Sequence, residues 1–320
     1  MANFAPQMEI IYDIDKNKIP SECAATIGVF DGVHAGHQKI ILQMKSDAMQ
    51  AGLKSMVITF DRQPRELFVA NYCPQVLTTL KEKLFRLSIY DVDYIVVLPF
   101  TMELAQLSAR EFMQQVLKDK LNVKLLRLGY DNRFGRGRTE GFDDYVRFGG
   151  EMDIKVLQGT PLQFTGYTEP VSSSLIRRLI AEEGLVNEAS GLLMCQYRLS
   201  GVVKTGEHIG STIGFPTANL EPENSGKVIP ASGAYAVTVD LGDGEQRPAM
   251  MNIGTRPTFD GQKQTLEVNI FNFEGDLYGK RLTVFFVKRL REERRFDSPE
   301  ALKAQLEEDK KQTFEILNGK

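Results

Sequence analysis

Ten consecutive residues, Gly28-Val29-Phe30-Asp31-Gly32-Val33-His34-Ala35-Gly36-His37, follow a strand-like run and open a helix-like one. Glycines at 28, 32 and 36 let the backbone approach a ligand closely, and a helix N-terminus attracts anions. His34 and His37, three residues apart at that terminus, can both donate to phosphate oxygens. The chain has three histidines, and two of them lie here. The alternative is an ordinary turn with incidental histidines, but a pattern this long rarely arises by chance. Further on, the run Ser172-Ser173-Ser174 with Arg177 one turn later is either a helix cap or a polyphosphate clamp of hydroxyls, amides and a guanidinium. A second glycine-rich stretch carries Gly201, Gly206, Gly210 and Gly214. It either wraps phosphates with backbone amides or is a plain loop, and no Gly-Lys-Ser/Thr follows to make it a Walker A sequence. In Thr265-Leu266-Glu267-Val268-Asn269-Ile270 the apolar residues share one strand face, and Thr265, Glu267 and Asn269 share the other. Glu267 is then either solvated or placed to take a proton from a substrate hydroxyl.

The elements that must position these groups read in two styles. Through the first half, strand-like runs at Ala24–Phe30, Met56–Phe60, Tyr94–Leu98 and Lys124–Leu128 alternate with helix-like runs at His37–Gln50, Thr79–Tyr90 and Ala109–Lys120. Such alternation predicts a parallel sheet covered by helices, with ligands held beyond the carboxyl ends of its strands. After about residue 186 the pattern becomes strand after strand: Tyr235–Leu241, Arg247–Ile253, Gln264–Phe273 and Arg281–Leu290, with glycine-containing turns between. That predicts an antiparallel sheet or small barrel. A final helix starts at the N-cap Ser298 with Pro299 at its first position. Its apolar stripe is Leu302, Leu306, Phe314 and Leu317, and Gly319 ends it. Two domains follow, joined near 181–192.

Length and composition agree, since 320 residues suit two domains. Apolar residues at 42% and charged residues at 25% exclude disordered, collagen-like and disulfide-scaffold classes. Thirty-nine basic against 42 acidic residues give no field for general nucleic-acid binding. Cys23, Cys73 and Cys195 are odd in number and widely spaced, which predicts reduced thiols in a cytoplasm and no zinc site. Glu9, Asp13 and Asp15 interrupt any signal-peptide core, and no apolar run reaches the ~18 residues of a membrane span.

His34-Ala35-Gly36-His37 after the first strand resembles the nucleotidyltransferase superfamily. The fuller ten-residue form resembles the adenylyltransferase module of prokaryotic bifunctional riboflavin kinase/FAD synthetases. Gly129-Tyr130-Asp131-Asn132-Arg133-Phe134-Gly135 and Val171-Ser172-Ser173-Ser174-Leu175-Ile176-Arg177 are similar to two further motifs of that module. Gly214-Phe215-Pro216-Thr217-Ala218-Asn219, Asn252-Ile253-Gly254-Thr255-Arg256-Pro257-Thr258-Phe259, the run from Glu267 to Phe273, and Asp276-Leu277-Tyr278-Gly279 resemble the riboflavin kinase module. The resemblance spans roughly residues 10 to 316. It implies an α/β Rossmann-like nucleotidyltransferase domain over 1–186, then a β-barrel riboflavin kinase domain with a C-terminal helix over 187–320.

The implied chemistry uses ATP and Mg²⁺ twice, with riboflavin, FMN and ATP as small-molecule substrates and neither nucleic acid nor membrane as partner; no oligomeric state is implied. In the first domain the FMN phosphate attacks the α-phosphorus of ATP. A phosphomonoester with a second pKa of about 6 is already mostly dianionic at neutral pH and needs no general base. The catalytic candidates there are His34, His37 and Arg177, with Gly28, Phe30, Asp31, Asp131, Ser173 and Ser174 as further ATP or phosphate contacts. In the barrel Glu267 is the base, Gly206, Gly210, Gly214, Thr217 and Asn219 handle ATP, and Thr217 and Asn219 hold Mg²⁺. Asp61, Tyr278 and Arg291 are candidate flavin contacts, each with a plain reading beside it: a loop carboxylate, a packing tyrosine, a solvated basic connection. Arg62, Gln63, Asn132, Ser174, Ser211 and Asn269 depart from the family pattern. Two rivals remain at this level: adenylylation of another phosphomonoester, and a flavin-binding regulator with decayed sites.

Overall fold

A computed structural model describes residues 8–69, 75–204, 215–258 and 261–319, with backbone alone at 256–258 and 261–263. The glycines at 206, 210 and 214, with Ser211 and Cys73, lie outside the described residues. Contacts divide the chain into two compact units, one up to Ser172 and one from Ser173 onward.

The first unit is built on six parallel strands: β1 (Glu9–Ile11), β2 (Cys23–Ile27), β3 (Lys54–Phe60), β4 (Tyr94–Leu98), β5 (Val123–Leu128) and β6 (Lys155–Gln158). Their order is β1-β4-β3-β2-β5-β6. All five residues of β2 and six of the seven in β3 are buried, as continuous apolar strands are when helices cover both faces. One face packs Ile40, Ile41, Met44 and Ala48 of α1 (Ala35–Ala51) with Leu84 and Leu87 of the next long helix (Leu80–Ser88), since α2 is the short turn Arg65–Phe68 and that helix is α3. After the short α4 (Met102–Gln106), the other face takes Phe112 of α5 (Ala109–Phe112), its π-helical extension Met113–Lys118, and α6 (Phe142–Met152). The expected parallel sheet and its helices are present. The edge strands β1 and β6 and helix α6 add to it, and the two edge strands, at three and four residues, are too short for a sequence period to register. From β2 the chain winds outward through β3 and β4, then returns to lay β5 on the other side of β2. The β2/β5 boundary is therefore the switch point, where such sheets leave a crevice beyond their carboxyl ends.

The second unit begins with α7 (Ser173–Ala181) and α8 (Val186–Leu193), so the segment expected as a join is largely helical. A closed barrel follows, made of β7 (Arg198–Lys204), β8 (Ala218–Pro222), β9 (Gly233–Asp240), β10 (Gln246–Thr258), β11 (Gly261–Ile270) and β12 (Arg281–Glu292). Its order is β10-β11-β8-β7-β12-β9, with every pairing antiparallel. Gly201, read from sequence as the start of a flexible loop, is strand instead. A Cβ there would lie 2.4 Å from the Glu221 carbonyl and 2.8 Å from the Leu220 side chain, so this glycine serves close strand approach.

Helix α9 (Pro299–Asn318) closes the chain as its caps predict: Ser298 Oγ accepts from the Ala301 amide at 3.2 Å, and the Gly319 amide donates to Glu315 O at 3.0 Å. Its inward face is not the simple apolar stripe expected. Leu306 and Phe314 pack with Phe215, Met250 and Phe271, but the most buried α9 residues are Asp309 (1% exposed) and Thr313 (0%).

Candidate active sites

At the carboxyl end of β2 the chain turns abruptly. Phe30, Gly32 and Val33 have φ of 52°, 77° and 38°, and for Phe30 and the β-branched Val33 this left-handed backbone is strained. Contacts from elsewhere in the unit hold it. The Asp31 carboxylate, 4% exposed, accepts from the amides of Leu77 (2.9 Å) and Thr78 (3.0 Å). Gly32 N donates to Thr78 Oγ1 at 2.9 Å, and Arg86 and Gln38 donate to the Val33 carbonyl at 3.2 and 2.9 Å. Asp31, expected beside a phosphate, thus braces the turn against the loop that leads into α3. Lys83 of α3 is 6% exposed, and its ammonium donates to Val29 O (3.0 Å) and Phe60 O (2.8 Å).

The braced turn delivers both histidines to the start of α1. His34 is the N-cap, 5% exposed, and its Nδ1 accepts from the His37 amide at 3.3 Å. An accepting Nδ1 leaves the proton of the neutral ring on Nε2. The two imidazoles stack with centroids 3.6 Å apart, and the Phe30 ring meets His37 edge-on at 5.1 Å. Burial, then His34, Lys83 and Arg86, holds His37 well below the ordinary histidine pKa. Rings this close cannot readily carry two charges, and with His37 held neutral the pair carries at most one charge beside the helix N-terminus. His37 Nδ1 is buried without a hydrogen-bond partner. A Cβ at Gly36 would stand 3.1 Å from the His34 ring, so a larger residue there would push on that imidazole.

The loop after β5 lies across the switch point from this turn. Asp131 is exposed on it, while the Asn132 side-chain amide donates to Ile27 O at the end of β2. Asn132, where the family pattern has an aromatic, therefore closes the central strand. The loop is anchored by Phe134, which stacks on Tyr145 at 4.4 Å. Asp61 ties β3 to β4 by accepting from the Phe100 amide at 2.9 Å, and it pairs with Arg62 at 3.3 Å. Ser173, Ser174 and Arg177 form the first turns of α7 in the second unit, above the buried Leu175, Ile176, Leu179 and Ile180.

In the barrel, register assembles what the sequence scatters. Arg291 pairs with Ala234, Ala234 with Asn252, Asn252 with Glu267, Glu267 with Asn219 and Asn219 with Lys204. Directly opposed residues share a sheet face. Leu266, Val268 and Ile270 fill the barrel interior as expected, so Glu267 stands on the outer face between two asparagines, partly exposed. Asn269, where the family pattern has histidine, is 6% exposed and donates to Pro216 O at 2.6 Å. That bond fixes the segment carrying Thr217. Asn252 is a member of this group that sequence reading quoted in a motif without giving it a role; its signal is visible only through strand pairing.

The flavin candidates divide. Tyr278 is 44% exposed in the turn between β11 and β12, where Gly279 N donates to Val203 O near the end of β7. Arg291 is committed elsewhere: its Nε and Nη2 reach Asp309 at 3.1 and 2.8 Å, and Nη1 donates to Glu292 O. It fastens α9 to the barrel.

Comparison with known proteins matches these units separately. A family model for FAD synthetase covers residues 16–175, and one for riboflavin kinase covers 193–317. A bifunctional riboflavin kinase/FMN adenylyltransferase of Escherichia coli strain K12 is 39% identical over 92% of this chain and 92% of that protein. One from Pseudomonas fluorescens is 38% identical over 90% of each. A crystal structure described as a macrolide-efflux protein from Streptococcus pneumoniae superposes with TM-score 0.86 at 30% identity, covering 96% of this chain and 98% of the other. Among the described residues no helix is long and apolar enough to cross a membrane. With both modules matched in order and relatives this similar along almost its whole length, the chain belongs to the bifunctional riboflavin kinase/FMN adenylyltransferase family.

Proposed function

We propose that the barrel domain transfers the γ-phosphoryl group of ATP to the terminal hydroxyl of riboflavin, releasing ADP. The first domain then joins FMN to the AMP moiety of a second ATP, giving FAD and pyrophosphate. The observation that supports this best is the pair of unlike arrangements on separate folds: a stacked His34–His37 pair at a helix N-terminus, and a carboxylate set between Asn219 and Asn252 by register.

For adenylylation, an FMN phosphate oxygen bonds to the α-phosphorus as the bond to the β-phosphate bridging oxygen breaks. The protein's task is to align the two phosphates and neutralise charge in flight. His34 Nε2–H and the amides opening α1 are donors for that charge. The resemblance assigns Arg177, Ser173 and Ser174 to the same nucleotide, with Gly28, Phe30 and Asp131 near it. For phosphorylation, Glu267 accepts the hydroxyl proton as oxygen bonds to the γ-phosphorus. The glycines at 206, 210 and 214 are assigned to the phosphates, and Tyr278 to the flavin.

We assign Mg²⁺ as the divalent ion. Thr217 and Asn219 would hold it in the barrel with a hydroxyl and an amide oxygen. Two neutral oxygens suit an ion that arrives on nucleotide phosphates and keeps several waters. When bound it neutralises phosphate charge. We place the reactions in the cytoplasm, in keeping with Cys23 as a buried thiol, and without nucleic-acid or membrane partners. The assay is direct: purified protein with riboflavin, ATP and Mg²⁺ should form FMN and then FAD, separable by chromatography. FMN that accumulates without FAD, or FAD formed only when FMN is supplied in place of riboflavin, would defeat the bifunctional reading.

A further inference from the structure

Lys83 is a buried cation to which neither reaction gives a part. It lies in α3 on the stripe of Leu84 and Leu87, facing the sheet, where an apolar side chain would pack without desolvating a charge. Its two hydrogen bonds go to carbonyl oxygens at the carboxyl ends of neighbouring strands, Phe60 O on the last residue of β3 and Val29 O two residues past β2. Val29 immediately precedes the left-handed Phe30, whose ring abuts His37. The ammonium therefore pins the first residue of the strained turn to the neighbouring strand and places a fixed positive charge under the histidine pair. Resting on the assignment of adenylyl transfer to this site, we propose that Lys83 is a positioning residue for that reaction, its tether holding the His34–His37 turn and its charge favouring the anionic reactants above it.

Tether and charge can be separated. Burial pulls the Lys83 pKa down to about 8, although Asp31 and Asp61 oppose the shift. His37 from α1 also interacts with its charge, and His34 and Arg86 act in turn on His37. Burial holds the His37 pKa well below the ordinary histidine value, so that ring loses no proton near pH 8. A neutral amine still donates to both carbonyls. Raising the pH through 8 thus removes the charge and keeps the tether, whereas Lys83→Met removes both.

The test follows FMN to FAD in the intact chain from pH 6.5 to 9.5, with riboflavin phosphorylation by the same preparation as reference. In the wild type, kcat/KM for FMN in adenylyl transfer should fall roughly three- to tenfold across a step centred near pH 8 and then level off, less than the roughly 10²–10³-fold of a direct transition-state donor because Lys83 acts through the turn. Lys83→Met should lower kcat on the order of a hundredfold with KM for FMN changed less, should lose the step, and should keep riboflavin phosphorylation. Lys83→Arg, keeping the charge at all these pH values, should have no step whatever its rate. A wild-type profile flat through pH 8 overturns the proposal even if neither variant folds, as does a step that persists in Lys83→Met. A wild type that makes no FAD at any pH instead defeats the assignment of adenylyl transfer.

Discussion

The two sites solve opposite problems. In the first unit the chemical groups are neighbours in sequence, His34 and His37 within one helical turn, but the turn that presents them is strained and held by residues 40 or more positions away. In the barrel the groups are far apart in sequence, Asn219, Asn252 and Glu267, but the backbone that presents them is an ordinary antiparallel ladder. Local chemistry here depends on distant support, and dispersed chemistry on regular local support. Substitutions in the barrel site should therefore remove chemistry and spare the fold. In the first unit, function should also be lost by touching residues that never meet a substrate.

The sharpest way to break this comparison is to exchange one chemical group in each site. Glu267→Gln keeps shape and register but removes the base, and should lower riboflavin phosphorylation by about 10²–10⁴-fold, the usual share of a positioned base. FAD formation from supplied FMN should be unchanged. His34→Ala should do the reverse, lowering FAD formation by roughly 10²–10³-fold as a lost transition-state donor does. It also removes the cap of α1. Equal losses of both activities in either variant would mean the sites do not act separately.

A smaller loss should come from the ion pair that fastens α9 to the barrel. Asp309 is sealed at 1% exposure beneath Arg291, with Gln305 Nε2 donating to it at 2.7 Å. Asp309→Ala leaves a guanidinium without its partner and should cost about 3–5 kcal/mol in denaturant unfolding of the second unit. Replacing both partners by apolar residues, Arg291→Met with Asp309→Leu, should recover most of that loss, because a buried pair is weak net stabilisation. If the double variant keeps the stability deficit, the Arg291–Asp309 pair contributes more to the fold than well-packed apolar residues would.

These differences explain what was legible before the fold was known. Strands buried on both faces announced themselves as unbroken apolar runs, and Ser298, Pro299 and Gly319 marked α9 because caps obey local rules. The histidine turn was legible for the same reason, since its chemistry is contiguous. Period-two alternation put Glu267 on the polar face of β11, but alternation does not say which strands lie alongside, so Asn252 had no visible partner. Arg291 read as a solvated basic residue because its counter-charge is 18 positions on, in a helix whose expected stripe omitted Asp309. Lys83 was the subtlest. The stripe through Leu84 and Leu87 marks position 83 as core-facing, yet a lysine there reads as a side chain that snorkels to water. The carbonyls of Val29 and Phe60, with the charges of Asp31 and Asp61 nearby, keep it inside.

The mildest test acts on the support of a support. Thr79 caps α3 in a reciprocal box, its hydroxyl accepting from the Glu82 amide at 3.3 Å while the Glu82 carboxylate accepts from the Thr79 amide at 2.9 Å. Its side chain bonds Glu82, but α3 carries both Lys83 and Arg86, and the capping loop carries Leu77 and Thr78 that grip Asp31. Thr79→Ala should cost about 1 kcal/mol of stability, the ordinary value of an N-cap. If the turn depends on distant bracing, FAD formation should fall severalfold at a temperature where the unit is still folded, with riboflavin phosphorylation kept. A loss of stability with full adenylyl transfer would mean that the strained turn holds itself, and that the contrast between the two sites is one of chemistry alone.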